Sequence, residues 1–326
     1  MQRREFITLL GGAAVAWPLA ARAQQGAKVP RIGFLYPGPQ QAVAARLEAL
    51  LNGLRTAGYS APAQVEVVVR TAEGDPGRIG PLMEETIRQN VDAIFANGPA
   101  VVQAARSATQ LIPIIALDLE TDPVASGLAT SIAHPGGNIT GLFFDFPNFT
   151  AKWLELLKEI NTTLTRVAVL WDPTTGSTQI KAIEQAAGSL NIKLDVIEIR
   201  TRSDFEEAFV SASQRSADGA VLLSSPLIAP HVQILAELAL RHRLPAITLF
   251  PDFARTGGLL AYGANLLDMY RQVGVMGGKV LQGTSPAELP IERPTKFELV
   301  INLKTARALG LTVPPTLLIR ADEVIE

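Results

Sequence analysis

Residues 166–171 read RVAVLW, and they restart a pattern that RIGFLY opens at residues 31–36. After RIGFLY comes an amphipathic helical stretch, AVAARLEALLNGLRTAG (42–58), and then the β-rich run QVEVVVR (64–70). A helical stretch, GRIGPLMEETIRQN (77–90), leads to the strand DAIFAN (92–97). A further helix, PAVVQAARSATQ (99–110), leads to IPIIAL (112–117). After RVAVLW the order repeats: a helix over about 176–190, KLDVIEIR (193–200), SDFEEAFVSASQ (203–214), DGAVLLSS (218–225), APHVQILAELALRHR (229–243) and LPAITLF (244–250). Asp92 and Asp218 each open a strand, and Pro113 and Pro245 each stand between a helix and an apolar strand. Short apolar strands alternating with helices mean a parallel sheet covered on both faces. The repetition predicts an α/β protein of two similar doubly wound parallel-sheet lobes. The competing arrangement is one large mixed sheet, but runs this regular usually close a domain at five or six strands.

Three stretches break the rhythm: 118–150, 250–265 and the proline-rich 283–297. Three breaks suit a chain that crosses between two lobes three times, so the lobes are expected to be joined by three hinge crossovers. The predicted boundaries are 30–142 plus about 263–290 for the first lobe and 143–262 plus about 291–326 for the second. The first break contains HPGGNITGLFFDF (134–146). Gly136 and Gly141 have phosphate-loop spacing, but Leu142 and Phe143 stand where Lys and Ser or Thr belong, and no helix start follows. Asn138-Ile139-Thr140 matches a glycosylation sequon that a bacterial-style export signal makes irrelevant. The remaining reading is geometric: Gly136 and Gly137 turn the chain, and NITGLFF leaves the lobe as a hinge strand.

The chain has 326 residues, 48% of them hydrophobic and 18% charged, with a formal net charge of −2. That suits two domains with substantial cores and offers no concentrated basic face for nucleic acid. There is no cysteine, and the three histidines, His134, His231 and His242, lack metal-ligand spacing, so no metal and no cofactor are expected. The first residues, MQRREFITLLGGAAVAWPLAARAQQ, carry Arg3 and Arg4, an apolar run and Ala21-Arg22-Ala23. This is the pattern of a cleavable export signal, removed after residue 23, and the paired arginines are twin-arginine-like. The expected location is the periplasm, where ATP and NAD are scarce.

Four stretches carry a family resemblance: TDPVASGLATSIAHPGGNITGL (121–142), LELLKEI (154–160), GGLLAYGANLLDMYRQVG (257–274) and PTKFELVINLKTARALGLTVPPTLLIRADEVIE (294–326). They resemble the substrate-binding components of ABC transporters, in the branch that includes tryptophan and tyrosine binders. The resemblance runs from about Arg31 to the C-terminus. It implies a type I periplasmic-binding-protein fold, whose two lobes close on a small molecule and deliver it to an ABC permease of the inner membrane. A monomer that is not an enzyme is expected.

In open parallel sheets ligands bind beyond the carboxyl ends of the strands. In the first lobe those loops supply Tyr36, Pro37, Asn97, Gly98, Pro99, Ala100, Asp118, Thr121 and Asp122. In the second they supply Phe144, Asp145, Phe146, Asp172, Thr174, Ser224, Ser225 and Phe250, with Tyr262 expected at a hinge. The set is rich in carboxylates, hydroxyls and aromatics and nearly free of Lys and Arg. A phosphate or dicarboxylate would recruit arginine; an aspartate pairs with an ammonium group, and helix-start N–H groups hold one carboxylate. The expected ligand is an α-amino acid with an aromatic or branched side chain. The bland alternatives are that Asp122 and Asp172 form turns, that Asn97 caps a helix and that the phenylalanines pack the hinge. Two other functions fit the same lobes: a periplasmic sensor domain serving a membrane receptor, and an exported enzyme. No nucleophile–base constellation supports the latter.

Overall fold

The computed structural model describes residues 29–144 and 146–326, so the export-signal reading and Asp145 fall outside the described residues. The apolar runs form two sheets. The first contains β1 (Arg31–Tyr36), β2 (Glu66–Thr71), β3 (Ala93–Asn97), β4 (Ile114–Asp118) and β5 (Ile139–Phe143), all parallel, in the order β2-β1-β3-β4-β5. The second contains β6 (Arg166–Trp171), β7 (Lys193–Glu198), β8 (Gly219–Leu222), β9 (Ala246–Thr248) and β10 (Leu260–Ala264) in the order β7-β6-β8-β9-β10. The two orders are the same. Continuous apolar runs fill the central strands, which are buried on both faces, while the mixed runs of β2 and β7 occupy half-buried edges.

Equivalent hydrogen bonds mark the repetition that the two opening strands suggested. The Asp92 carboxylate accepts from the Arg31 N–H at 2.8 Å, and the Asp218 carboxylate accepts from the Arg166 N–H at 2.9 Å. Each aspartate thus ties the start of one strand to the start of its neighbour. The second sheet extends beyond this shared five-stranded plan. The second sheet continues with β11 (Phe297–Asn302), antiparallel to β10, and β12 (Glu323–Ile325), parallel to β11.

Among the described residues the helices of the first lobe are α1 (Val43–Thr56), α2 (Ile79–Arg88) and α3 (Pro99–Ala108). The second sheet is covered by α4 (Phe146–Ile160), α5 (Thr178–Leu190), α6 (Asp204–Gln214) and α7 (Val232–Arg241). Helix α8 (Pro251–Arg255) follows in the stretch read as irregular. Gly258 closes it by donating to the Phe253 carbonyl at 2.7 Å, and β10 begins two residues later. Helix α9 (Leu266–Leu281) packs on α1, and α10 (Leu303–Ala308) and α11 (Pro315–Arg320) end the chain with β12.

The chain passes between the sheets three times: after β5, between β10 and α9, and between α9 and β11. The first and third passages run side by side. Glu292 N donates to the Gly141 carbonyl at 2.9 Å, Phe143 N donates to the Glu292 carbonyl at 3.1 Å, and the Arg293 guanidinium donates to the Phe144 carbonyl. The second passage returns α9 to the first lobe. Its seat is very close: a Cβ on Gly53 of α1 would lie 2.0 Å from the Arg271 carbonyl oxygen, and one on Gly274 of α9 would lie 2.2 Å from that of Leu50. Met269, Tyr270, Val273 and Met276 then share a buried cluster with Leu50 and Leu54.

Residues 139–143 of the quoted glycine stretch form β5, an edge strand of the first sheet, and the chain leaves the lobe only at Phe143 and Phe144. Gly136 and Gly137 therefore do not bend a hinge. They sit at the amino end of β5, away from the passage, where Gly136 has a φ of 78° and donates to the Ala287 carbonyl at 3.1 Å.

Candidate ligand-binding site

Both sheets reverse their strand order at one place, between β1 and β3 in the first and between β6 and β8 in the second. Loops that leave such a point in opposite directions open a crevice at the carboxyl ends of the strands. Here the crevices of the two lobes face each other. A cavity of about 70 Å³ lies between them. Of the residues expected from sequence, it is lined by Tyr36, Pro37, Asn97 and Gly98 from the first lobe and by Ser225 and Phe250 from the second.

Local structure explains how these residues are presented. Asn97 ends β3 and is held by its side-chain amide, which donates to the Leu35 carbonyl at 2.9 Å, tying β3 to β1 beneath the cavity. Gly98 follows with a φ of 78°, a left-handed conformation that glycine adopts without strain, and Pro99 then starts α3. Pro99 and Ala100 form the first turn of α3 behind Gly98. The Ser225 hydroxyl accepts from the N–H groups of Leu227 and Ile228 at 3.1 and 3.0 Å, which fixes the loop after β8.

Among the lining residues not singled out from sequence are Arg46, Tyr270 and Glu120, the last within the expected Asp118–Asp122 loop. Arg46 belongs to the first turn of α1, which faces the cleft because α1 follows the Tyr36–Pro39 loop. Its guanidinium lies 5.1 Å from the Tyr36 ring centroid, within the range of a cation–π contact, and also donates to the Ala42 carbonyl. The expectation of a cleft nearly free of basic side chains is thus corrected by one arginine. Tyr270 comes from α9 and is 3% exposed; burial raises its phenol above the usual range, although the nearby positive charge of Arg46 opposes this.

Glu120 lies just beyond β4 and is 4% exposed. It is joined across the cleft: the Ser224 hydroxyl of the second lobe donates to its Oε1 at 2.6 Å. Ser224 itself cannot drift, because the buried Gln179 amide donates to its carbonyl at 2.7 Å and accepts from its N–H at 2.8 Å. Burial, reinforced by the neighbouring charges of Asp118 and Asp172, pushes the Glu120 carboxyl up to about 8, and the Ser224 hydrogen bond only partly offsets this. In this closed arrangement burial therefore favours the protonated form of Glu120.

The remaining expected residues fall outside the cavity lining. Asp118 is fully buried behind it; its Oδ1 accepts from the N–H groups of Glu120 and Thr121 at 2.9 and 3.0 Å, and burial raises its carboxyl. Its Oδ2 has no hydrogen-bond partner among the described residues. Asp122 accepts from Val124 and Ala125 N–H groups, both at 2.9 Å, and Asp172 accepts from the N–H and hydroxyl of Thr174 at 2.9 and 2.7 Å. Both aspartates are turn formers; Thr174 completes the turn of Asp172, and Thr121 belongs instead to the turn held by Asp118. Phe144 and Tyr262 join Phe149 and Phe297 in an aromatic group beside the passages between lobes. The Phe144–Phe149 centroids lie 4.1 Å apart and the Phe149–Tyr262 centroids 5.6 Å. The Tyr262 ring thus packs on neighbouring rings instead of lining the cavity. Phe146 is the first residue of α4. Among the described residues no group of three or more His, Cys, Asp or Glu side chains is arranged to hold a metal ion.

Comparison with known proteins agrees with this geometry. A curated relative, the tyrosine-binding protein of Clostridioides difficile, is 25% identical over 266 residues, covering 81% of this chain and 76% of its own. Among solved structures, an ABC domain in complex with L-Trp from Streptococcus pneumonia superposes with a TM-score of 0.83 at 22% identity, covering 91% of this chain and 99% of that one. A ligand-free, open substrate-binding protein from Clostridium difficile superposes with a TM-score of 0.69, also at 22% identity and covering 91% of this chain and 99% of that one. Leucine-binding and LacI-type chains share the two-lobe fold at lower similarity. The model of the ABC transporter substrate binding protein family matches residues 39–325, and the chain belongs to that family.

Proposed function

We propose that this chain is the extracytoplasmic substrate-binding component of an ABC importer and that it captures an aromatic or branched α-amino acid between its lobes for delivery to an inner-membrane permease. The observation that carries the reading is the pairing, in one small cavity, of Arg46 and Glu120 with the rings of Tyr36, Tyr270 and Phe250. The cation matches a carboxylate, the acid matches an ammonium group, and the rings cover an apolar side chain. Membership of the substrate-binding family and similarity to a tyrosine-binding protein and to an ABC domain in complex with L-Trp support the same choice.

The lobes are assigned as 29–143 with 265–291, and 146–264 with 297–326, on the basis of sheet membership and the seat of α9 on α1. Residues 1–23 are assigned as an export signal on Arg3, Arg4 and the Ala21-Arg22-Ala23 triplet, so N-terminal sequencing of exported protein should begin at Gln24. A thermal-shift screen over the common amino acids tests the ligand. A true ligand at a hundred times its dissociation constant adds about 2.7 kcal/mol of apparent stability. A screen in which sugars or dicarboxylates shift the transition and aromatic amino acids do not would reject this reading.

A further inference from the structure

The small cavity has a larger neighbour. A second cavity of about 280 Å³ lies beside it, and both are bounded by Arg46, Leu119, Ala229, Phe250 and Leu266. These five residues form a partition with one chamber on each side. The inner chamber, at about 10–15 Å³ for each water-sized atom, has room for about five such atoms, roughly the head of an α-amino acid. Its polar groups, Asn97, Glu120 and Ser225, suit that head. The outer chamber has room for about twenty atoms on the same scale, about twice an indole.

The outer chamber is also chemically distinct. Val232, Leu249 and Met269 give it apolar walls, all three nearly fully buried. Its far wall is acidic: Arg255 pairs with Asp252 at 3.2 Å, with Glu298 at 3.5 Å and with Glu323 at 2.8 Å, one cation among three carboxylates. That wall repels a ligand carboxylate. Arg46, facing both chambers from the partition, has no ion-pair partner among the described residues, and it is the group placed to meet a carboxylate that reaches the outer side.

We infer that the cleft is built for a ligand longer than one amino acid, namely a dipeptide of apolar residues with a free N-terminus. Its ammonium group occupies the inner chamber at Glu120, its two apolar side chains lie against the partition and the outer walls, and its carboxylate meets Arg46. The inference rests on the amino-acid reading of the site and extends it from one residue to two.

Isothermal titration of the whole mature chain with three probes tests it: L-phenylalanine, L-phenylalanyl-L-leucine and N-acetyl-L-phenylalanyl-L-leucine. The dipeptide should bind at least tenfold more tightly than phenylalanine, with one molecule per chain and in competition with it, and the acetylated form should lose that binding. A dipeptide that binds more weakly than phenylalanine, or not at all, overturns the inference and leaves the single-residue reading standing. Failure of all the probes overturns the inference, and the amino-acid reading falls with it when tyrosine, tryptophan and the branched amino acids also give no thermal shift. Val232→Trp, which fills the outer chamber, should weaken the dipeptide at least tenfold more than phenylalanine; equal losses would count against the second subsite. Should that variant not fold, the three-probe comparison on the unaltered chain decides alone.

Discussion

Removal of the Ser224 hydroxyl should loosen closure of the lobes without unfolding either of them. In the closed arrangement Ser224 and Glu120 are 1% and 4% exposed, and their hydrogen bond, at 2.6 Å, joins the loop after β8 to the loop after β4. In Ser224→Ala, Glu120 Oε1 is left buried without that donor when the lobes are shut, whereas water supplies one when they are open. The cost falls on the closed form alone, about 1–3 kcal/mol. Because apparent affinity scales with the population of the binding-competent form, the dissociation constant for L-tyrosine or L-tryptophan should rise about 5- to 150-fold. The fold should be unaffected, since Gln179 bonds to the backbone of residue 224 and not to its hydroxyl. Titration calorimetry gives the affinity, and small-angle scattering with and without amino acid gives the shape. A variant that binds within twofold of the unaltered chain, with the same fall in radius of gyration, would refute the claim that this bond fastens the lobes.

The acid at the cleft makes binding pH-dependent. With its carboxyl at about 8, Glu120 holds a proton in the empty closed form that it loses in the open form; that contribution to closure is complete below the ordinary carboxylate range and disappears as pH rises through 8. An ammonium ligand keeps Glu120 ionised in the closed form, so binding to the open form at pH 7 should exchange close to no proton, read from calorimetry in buffers of different ionisation enthalpy; uptake of close to one proton would contradict the pairing of Glu120 with the ammonium group. Tyr262→Ala should lower unfolding stability by about 1–3 kcal/mol through lost packing on Phe149 and Phe297, while ligand affinity measured by titration stays within threefold. Gly53→Val should destabilise the chain by about 3 kcal/mol or more in urea unfolding, since its Cβ would meet the backbone of α9.

The duplicated plan was legible because it depends on local chemistry. Asp92 and Asp218, Pro113 and Pro245, and the apolar strand runs are each read within a few residues, and each recurs. Strand β10 was hidden because Gly257 and Gly258 make its neighbourhood resemble a loop, and β11 and β12 because they join the second sheet from the end of the chain, where no repeat announces them. The cleft was legible as a set of strand ends, which brought Tyr36, Asn97, Ser225 and Phe250 together. It was less legible as chemistry. A carboxylate that folds a turn, such as Asp122 or Asp172, is the same residue type as one that meets a ligand, and only its hydrogen bonds tell them apart. Arg46 offered only a partial signal, a cation in the first turn of a helix that leaves a cleft loop, because Lys181 holds the same place in α5 and does not line the cavity. Tyr270 offered none, since α9 reaches the cleft only after the second passage.

The close seat of α9 on α1 also fixes a timetable. Gly53 and Gly274 touch across more than two hundred residues of chain, so a growing polypeptide exposes Leu50 and Leu54 long before Met269, Val273 and Met276 are made to cover them. Strands β1–β5 can pair early, but the first lobe stays unsealed until most of the second has been synthesised. Contacts of such long range form late and slow the last stage of folding. The half-built protein is thus a chain with an open apolar flank, the kind of transiently exposed surface that makes folding intermediates prone to aggregate.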